Sequence, residues 1–255
     1  MKRFLFTLPL LLSMAVPASA AVKSEVIEYK QGDATLQGWL VYDKAAKRKR
    51  PGVVLLHDWF GATAHQEGQA RKLAAQGYVV LVADVYGKGV RPADAAAAGT
   101  EAGKYYKDRS LLRERVRAGF DYLAAQPQVD TDRMAVMGYC FGGAGALELA
   151  RSGAPLKAVV TFHGSLASAN PEDAKNIKAK VLVQIGADDP IIPGDQRAAF
   201  ETEMTDGKVD WRMLLYGGAG HSFTNPDVGA LGRAGFAYDE TTDKRSWRAM
   251  LDLFG

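Results

Sequence analysis

The chain has 255 residues, with 32 Lys+Arg against 29 Asp+Glu and 47% hydrophobic residues. That balance excludes bulk disorder and leaves ample chain for a buried core. A single cysteine, Cys140, excludes an intramolecular disulfide and a cysteine-rich metal centre, while 27 glycines point to tight turns or close backbone approaches.

The first segment, residues 1–20, opens with Lys2 and Arg3, runs through apolar residues at 4–16 and ends in Ala18-Ser19-Ala20. This is the layout of a secretory signal peptide, and the apolar run is too short for a comfortable membrane span. Cleavage after Ala20 takes the formal charge from +3 to +1, because Lys2 and Arg3 leave with the segment. The expected product is an exported protein, periplasmic or secreted, with no membrane association after leader cleavage. Its near-neutral charge gives no reason to expect a nucleic-acid partner. The basic run at 44–50 (KAAKRKR) lies between strand-like segments and reads as a solvated loop.

Residues 26–29 and 35–42 predict an opening hairpin that turns at Gln31-Gly32-Asp33. Residues 53–56 form a short apolar run behind Pro51-Gly52, as in a buried strand. A helix is expected over 64–76, stopped by Gly77. Residues 78–83 (YVVLVA) are another buried strand, 111–125 an amphipathic helix, and 133–137 a strand leading into a small-residue helix at 142–151. Further strands are expected at 158–162, 181–185 and 211–215, with helices at 196–203 and 242–253. Two stretches, 86–109 and 226–240, read as irregular. Repeated strand–helix–strand order with continuous apolar strands gives an α/β fold. It predicts a mostly parallel sheet of about eight strands with helices on both faces and an N-terminal hairpin. No linker divides residues 21–255, so one domain is expected. Long segments at strand C-terminal ends are where such proteins place substrate contacts.

Residues 133–143 read R-M-A-V-M-G-Y-C-F-G-G. The strand ends at Gly138 and a helix opens at Gly142-Gly143, which makes G-x-C-x-G: the nucleophile-elbow pattern with Cys140 in place of serine. A side chain at Gly138 or Gly142 would collide with neighbouring elements in such a turn. The helix N-terminus beyond Cys140 favours an anionic sulfur. An elbow requires an acid and then a histidine further along the chain.

Both follow. Residues 181–193 (VLVQIGADDPIIP) run from a strand into acidic residues and a proline turn, and residues 216–223 (YGGAGHSF) run from a strand into a Gly-rich loop with His221. Asp188 and Asp189 both qualify as the acid. The G-x-x-D-x-x-x-P spacing favours Asp189 and leaves Asp188 as a capping or surface residue. All three candidates follow C-terminal strand ends, so they can converge on one rim of the sheet. The other histidines precede the acid. His65 reads as the start of a surface helix, His57 as a strand end that shapes its loop, and His163 as a strand end able to line the pocket.

The sequence resembles the dienelactone hydrolase family of the α/β-hydrolase superfamily. The carriers are H-D-W-F-G at 57–61, A-D-V-Y-G at 83–87, G-Y-C-F-G-G at 138–143, G-A-D-D-P at 186–190 and G-A-G-H-S-F at 218–223. The resemblance implies an α/β-hydrolase fold and hydrolysis of a small ester or lactone, without metal or organic cofactor. It maps the family's Cys–Asp–His triad to Cys140, Asp189 and His221, with an acyl-cysteine intermediate. It places the oxyanion hole at the backbone amides of Phe141 and Trp59. Asp58 stands where the family usually has a glutamate that contacts the resting cysteine. Lys88 and Asn225 stand where the family's dienelactone-cleaving members have substrate-gripping arginines, and Tyr86 belongs to the same implied contact set. Arg91 could supply such a charge from the irregular stretch.

Two alternatives accompany this expectation. One is a generalist carboxylesterase or thioesterase on the same fold. The other is a non-catalytic binding or redox protein that uses a lone oxidisable thiol.

Overall fold

The computed structural model describes residues 21–255; the expected leader at residues 1–20 and its cleavage site lie outside the described residues. Strands β1 (Val22–Gln31) and β2 (Ala34–Asp43) form the opening hairpin, closed at Gly32-Asp33 with Gly32 at φ +54°. The remaining strands are β3 (Arg50–Leu56), β4 (Val79–Ala83), β5 (Val129–Tyr139), β6 (Ala158–Phe162), β7 (Lys180–Gly186) and β8 (Trp211–Tyr216). All eight lie in one sheet, in the order β1-β2-β4-β3-β5-β6-β7-β8. The hairpin joins antiparallel through β2 and β4, and every pair from β4 to β8 is parallel.

Parallel strands covered on both faces need apolar residues at successive positions. Strand β3 shows why: Val54 and Leu56 pack into one core, Val53 and Leu55 into the other, and all four are fully buried. One face is covered by α1 (Ala64–Ala75) and α6 (Glu240–Phe254). The other carries α3 (Arg109–Ala124), α4 (Phe141–Arg151) and α5 (Gly194–Asp206). Arg151 at the end of α4 is wholly buried between Glu148 and Glu203, which ties α4 to α5 through a paired charge rather than an orphaned one. No described helix is long and apolar enough to cross a membrane.

The largest departure from expectation is α2 (Ala95–Lys107), inside the stretch read as irregular. Alanine and glycine give almost no apolar–polar contrast, so no helical period shows over residues 95–103. Asp94 caps the helix by accepting from the Ala97 amide, and Ala98, Ala102 and Tyr105 form its buried stripe. In the second irregular stretch a short 3-10 turn, Pro226–Leu231, precedes the start of α6 at Glu240. Strand β5 starts four residues earlier than expected because Val129 and Asp130 pair with Arg50 and Pro51 before the register shifts at Pro51/Gly52.

Candidate active site

The elbow between β5 and α4 sets Cys140 in a backbone conformation that few non-glycine residues adopt, φ 51° and ψ −112°. Two bonds hold it there: the Cys140 amide donates to the Phe162 carbonyl at 3.0 Å, and the Gly143 amide to the Cys140 carbonyl at 3.0 Å. Such strain costs of order 1–3 kcal/mol and persists only where neighbours enforce it. The neighbours leave no slack. A Cβ on Gly138 would stand 2.0 Å from the Gly142 carbonyl oxygen, and one on Gly142 would stand 2.5 Å from the oxygens of Leu56 and His57.

Strand β7 delivers Asp189 and the loop after β8 delivers His221. The His221 amide donates to the Gly235 carbonyl at 2.7 Å and the Ala237 amide donates back to the His221 carbonyl, so residues 235–237 brace this loop. His221 Nε2 lies 3.1 Å from Cys140 Sγ, and its Nδ1 lies 2.8 Å from Asp189 Oδ2. Asp189 is buried and its Oδ1 accepts from the Ile191 amide, whereas Asp188 is exposed. Asp189, and not Asp188, is therefore the carboxylate bonded to His221. Burial disfavours a charged His221, yet attraction to the sulfur and the bond to Asp189 outweigh it and raise the ring to about 10.

The remaining histidines take other places. His57 is fully buried; its Nε2 accepts from the Val85 amide at 3.1 Å and its Nδ1 bonds the Asp58 carbonyl, so it locks the ends of β3 and β4 together. Burial lowers it to about 4. His65 sits in the first turn of α1, half-buried, its ring edge toward Tyr139. His163 was expected near the pocket, but it sits behind His221, ring centroids 5.0 Å apart, with Nε2 bonded to Thr224 Oγ1 at 2.9 Å. Burial, and then the nearby His221, push His163 well below its ordinary value.

The implied contact residues fare differently. Asp58 makes no hydrogen bond to Cys140: one oxygen accepts from the Phe60 amide and the other from Gln66 Nε2, which fixes the 58–61 turn onto α1. Burial raises the Asp58 carboxyl, against those two bonds. Tyr86 is buried, and its hydroxyl donates to the Trp59 carbonyl at 3.1 Å, so it supports the turn from behind. Lys88 faces the hairpin and pairs with Glu28 at 2.7 Å. Asn225 caps the 3-10 turn by accepting from the Asp227 amide. Arg91 is spent on the carbonyls of Ala62, Gly87, Val90 and Gln37. Phe141 opens α4, where the first helical amides lack an intrahelical acceptor, and the Trp59 amide donates to no protein group among the described residues.

Cys140 and His221 open into a cavity of about 230 Å³. Its aromatic walls are Trp59, Tyr106 and Phe236, and Gly99 and Ala102 of α2 line it beside them. Ile191 and Arg233 complete the lining. None of these except Trp59 stood out in the sequence. The signal was present only at segment level: Gly99, Ala102, Tyr106, Arg233 and Phe236 all fall in the two stretches read as irregular. Among the described residues no cluster of three or more His, Cys, Asp or Glu is arranged to hold a metal ion.

A mostly parallel eight-stranded sheet with an elbow cysteine, an acid and a histidine on its C-terminal rim defines an α/β-hydrolase. The family model for the dienelactone hydrolase family matches residues 36–255, and the chain belongs to that family and is a hydrolase of its kind. Among solved structures, a dienelactone hydrolase-like promiscuous phosphotriesterase from metagenomic libraries is 43% identical, with a TM-score of 0.89 over 92% of this chain and 98% of that one. A structure titled m3DLH is 44% identical, with the same TM-score and coverage. A Salmonella typhimurium protein provisionally named a carboxymethylenebutenolidase is 28% identical over 88% of this chain and 83% of its own length.

Proposed function

We propose that the protein hydrolyses small carboxylic esters or lactones through an acyl-cysteine intermediate on Cys140. The observation that carries this reading is the continuous line from Cys140 Sγ through His221 to Asp189, at 3.1 and 2.8 Å. In this reading His221 takes the thiol proton, and the sulfur attacks the carbonyl carbon. The oxyanion is met by the amides of Trp59 and Phe141; losing one such donor typically costs on the order of 10²–10³ in rate. Collapse breaks the acyl–oxygen bond, His221 gives its proton to the leaving alkoxide, and a thioester remains. Water then attacks the thioester as His221 takes its proton, releasing the acid and restoring the sulfur. Asp189 orients the ring and stabilises its charged form.

The test is hydrolysis of a panel of short acyl esters, lactones and thioesters by the wild type and Cys140→Ala. The expected loss in kcat is on the order of 10³-fold or more, as for removal of other triad nucleophiles. Full activity in the variant overturns the reading, and a thiol that oxidises without any turnover favours the non-catalytic alternative. The 43% identity to a promiscuous phosphotriesterase supports a second, minor activity on phosphotriesters, to be assayed beside the panel. The leader-like residues 1–20 support an exported site of action, and N-terminal sequencing of the exported protein should begin at Ala21.

A further inference from the structure

The cavity above Cys140 has few polar groups, and besides the Tyr106 hydroxyl and the Trp59 indole N–H they lie in two places. At its floor are the sulfur and the His221 ring; at its rim is Arg233. Between them the walls are the rings of Trp59, Tyr106 and Phe236. Tyr106 is set edge-on to Phe141, at 85° and 5.5 Å, and the Arg109 guanidinium lies over its ring at 5.0 Å. Arg233 lies over Phe236 at 4.5 Å and over Trp59 at 5.6 Å, and it has no ion-pair partner among the described residues. A guanidinium stacked in this way presents a flat, weakly hydrated surface and extends the aromatic wall.

Helix α2 supplies the remaining side. Gly99, Ala102 and Tyr106 recur at helical spacing, so one stripe of the helix faces the cavity. The two small residues leave room that larger ones would fill: a Cβ on Gly99 would meet only Trp59, at 3.9 Å. The volume, about 230 Å³, lies below the roughly 300–1,000 Å³ of sites for drug-sized ligands. It fits an ester bearing one ring and little more.

Resting on the ester-hydrolase reading, we infer that this cavity is a slot for a single planar aromatic ring, and that the preferred substrates are small uncharged esters carrying one. Faces of aromatic residues gain more from a flat π-system than from a puckered saturated ring of similar size. Gly99 is a specificity-determining residue because it keeps the slot open without touching the reacting atoms.

The test compares kcat/KM within two matched pairs: benzyl acetate against cyclohexylmethyl acetate, and methyl phenylacetate against methyl cyclohexylacetate. Members of a pair have similar intrinsic reactivity, so a difference reports the slot. The wild type should prefer the aromatic member of at least one pair by about tenfold, mostly through KM. Gly99→Leu, on an exposed helix position where only Trp59 is near, should bring the members of that pair within about twofold of each other. Hydrolysis of both members of each pair at similar rates overturns this inference and leaves the ester-hydrolase reading standing. Hydrolysis of none of the four overturns the inference, and the ester-hydrolase reading is then decided by the panel of short acyl esters, lactones and thioesters. A preference for 4-carboxybenzyl acetate over benzyl acetate that disappears in Arg233→Met assigns the slot to anionic substrates and overturns the inference as well.

Discussion

The strand ends that carry Cys140, Asp189 and His221 face α2 and residues 232–237 across one cavity, yet the two sides are built differently. The strand-end side is backbone against backbone. Its turns are held by main-chain hydrogen bonds, and an added methyl group at Gly138 or Gly142 would overlap a carbonyl. The opposite side is made of side chains: aromatic rings, a stacked guanidinium and a helix stripe of small residues, with Gly99 and Arg233 exposed. The first kind of wall admits no added atom at Gly138 or Gly142 unless backbone moves. The second can change shape by single substitutions without loss of the fold, which is how one chemistry is fitted to different substrates.

If that contrast is right, the largest effects fall on the strand-end side. Asp189→Asn should lower kcat by up to about 10⁴-fold with a much smaller change in KM, because the ring loses its charged orienting partner while the cavity walls stay in place. Steady-state kinetics with one ester checks this. A loss below tenfold would break the comparison at its strongest point. Gly138→Ala should destabilise the protein by about 3 kcal/mol or more, or prevent soluble expression, since backbone must move to admit the Cβ. Urea unfolding measures it.

The next effect is a pH dependence of stability. His57 and His163 are held neutral in the fold, His57 down at about 4 and His163 well below 6.5, with burial the main cause for each. The unfolded chain binds their protons near pH 6.5 and the folded chain does not. Stability should therefore fall as the pH drops from 6.5 toward 4, by roughly 3 kcal/mol from His57 alone. His221 acts in the opposite sense. Its raised value, about 10, gives a contribution that is full below pH 6.5 and lost as the pH rises through 10. Urea midpoints across this range should thus fall off at both ends, and His163→Phe should flatten the acid arm. The smallest effect sharpens the contrast within the His loop itself: Gly217 has no atom within 4 Å of an added Cβ, so Gly217→Ala should change stability by less than about 0.5 kcal/mol.

The same contrast explains what could be read from the chain alone. The line from Cys140 through His221 to Asp189 was legible because strand-to-turn geometry forces local signatures: glycines around Cys140, Gly186 three residues before Asp189, and the glycines that lead to His221. The sheet was legible because buried parallel strands are continuously apolar. The cap was not. Helix α2 is rich in alanine and glycine and shows no period. The partners of its neighbours lie far away in sequence, as Glu28 does for Lys88. Asp58 and Tyr86 have motif positions that suggest substrate contact, but Gln66 and the Trp59 carbonyl claim them as supports for the 58–61 turn. Tertiary contacts that no local pattern encodes decided each of these cases.

The most direct test of the account is the mass of the protein quenched during turnover of an activated acetate ester. The account predicts that the wild type gains one acetyl group, on the peptide that contains Cys140, and that the adduct accumulates further in Asp189→Asn if deacylation slows more than acylation. Turnover with no covalent adduct, or an adduct that persists in Cys140→Ala, would contradict it.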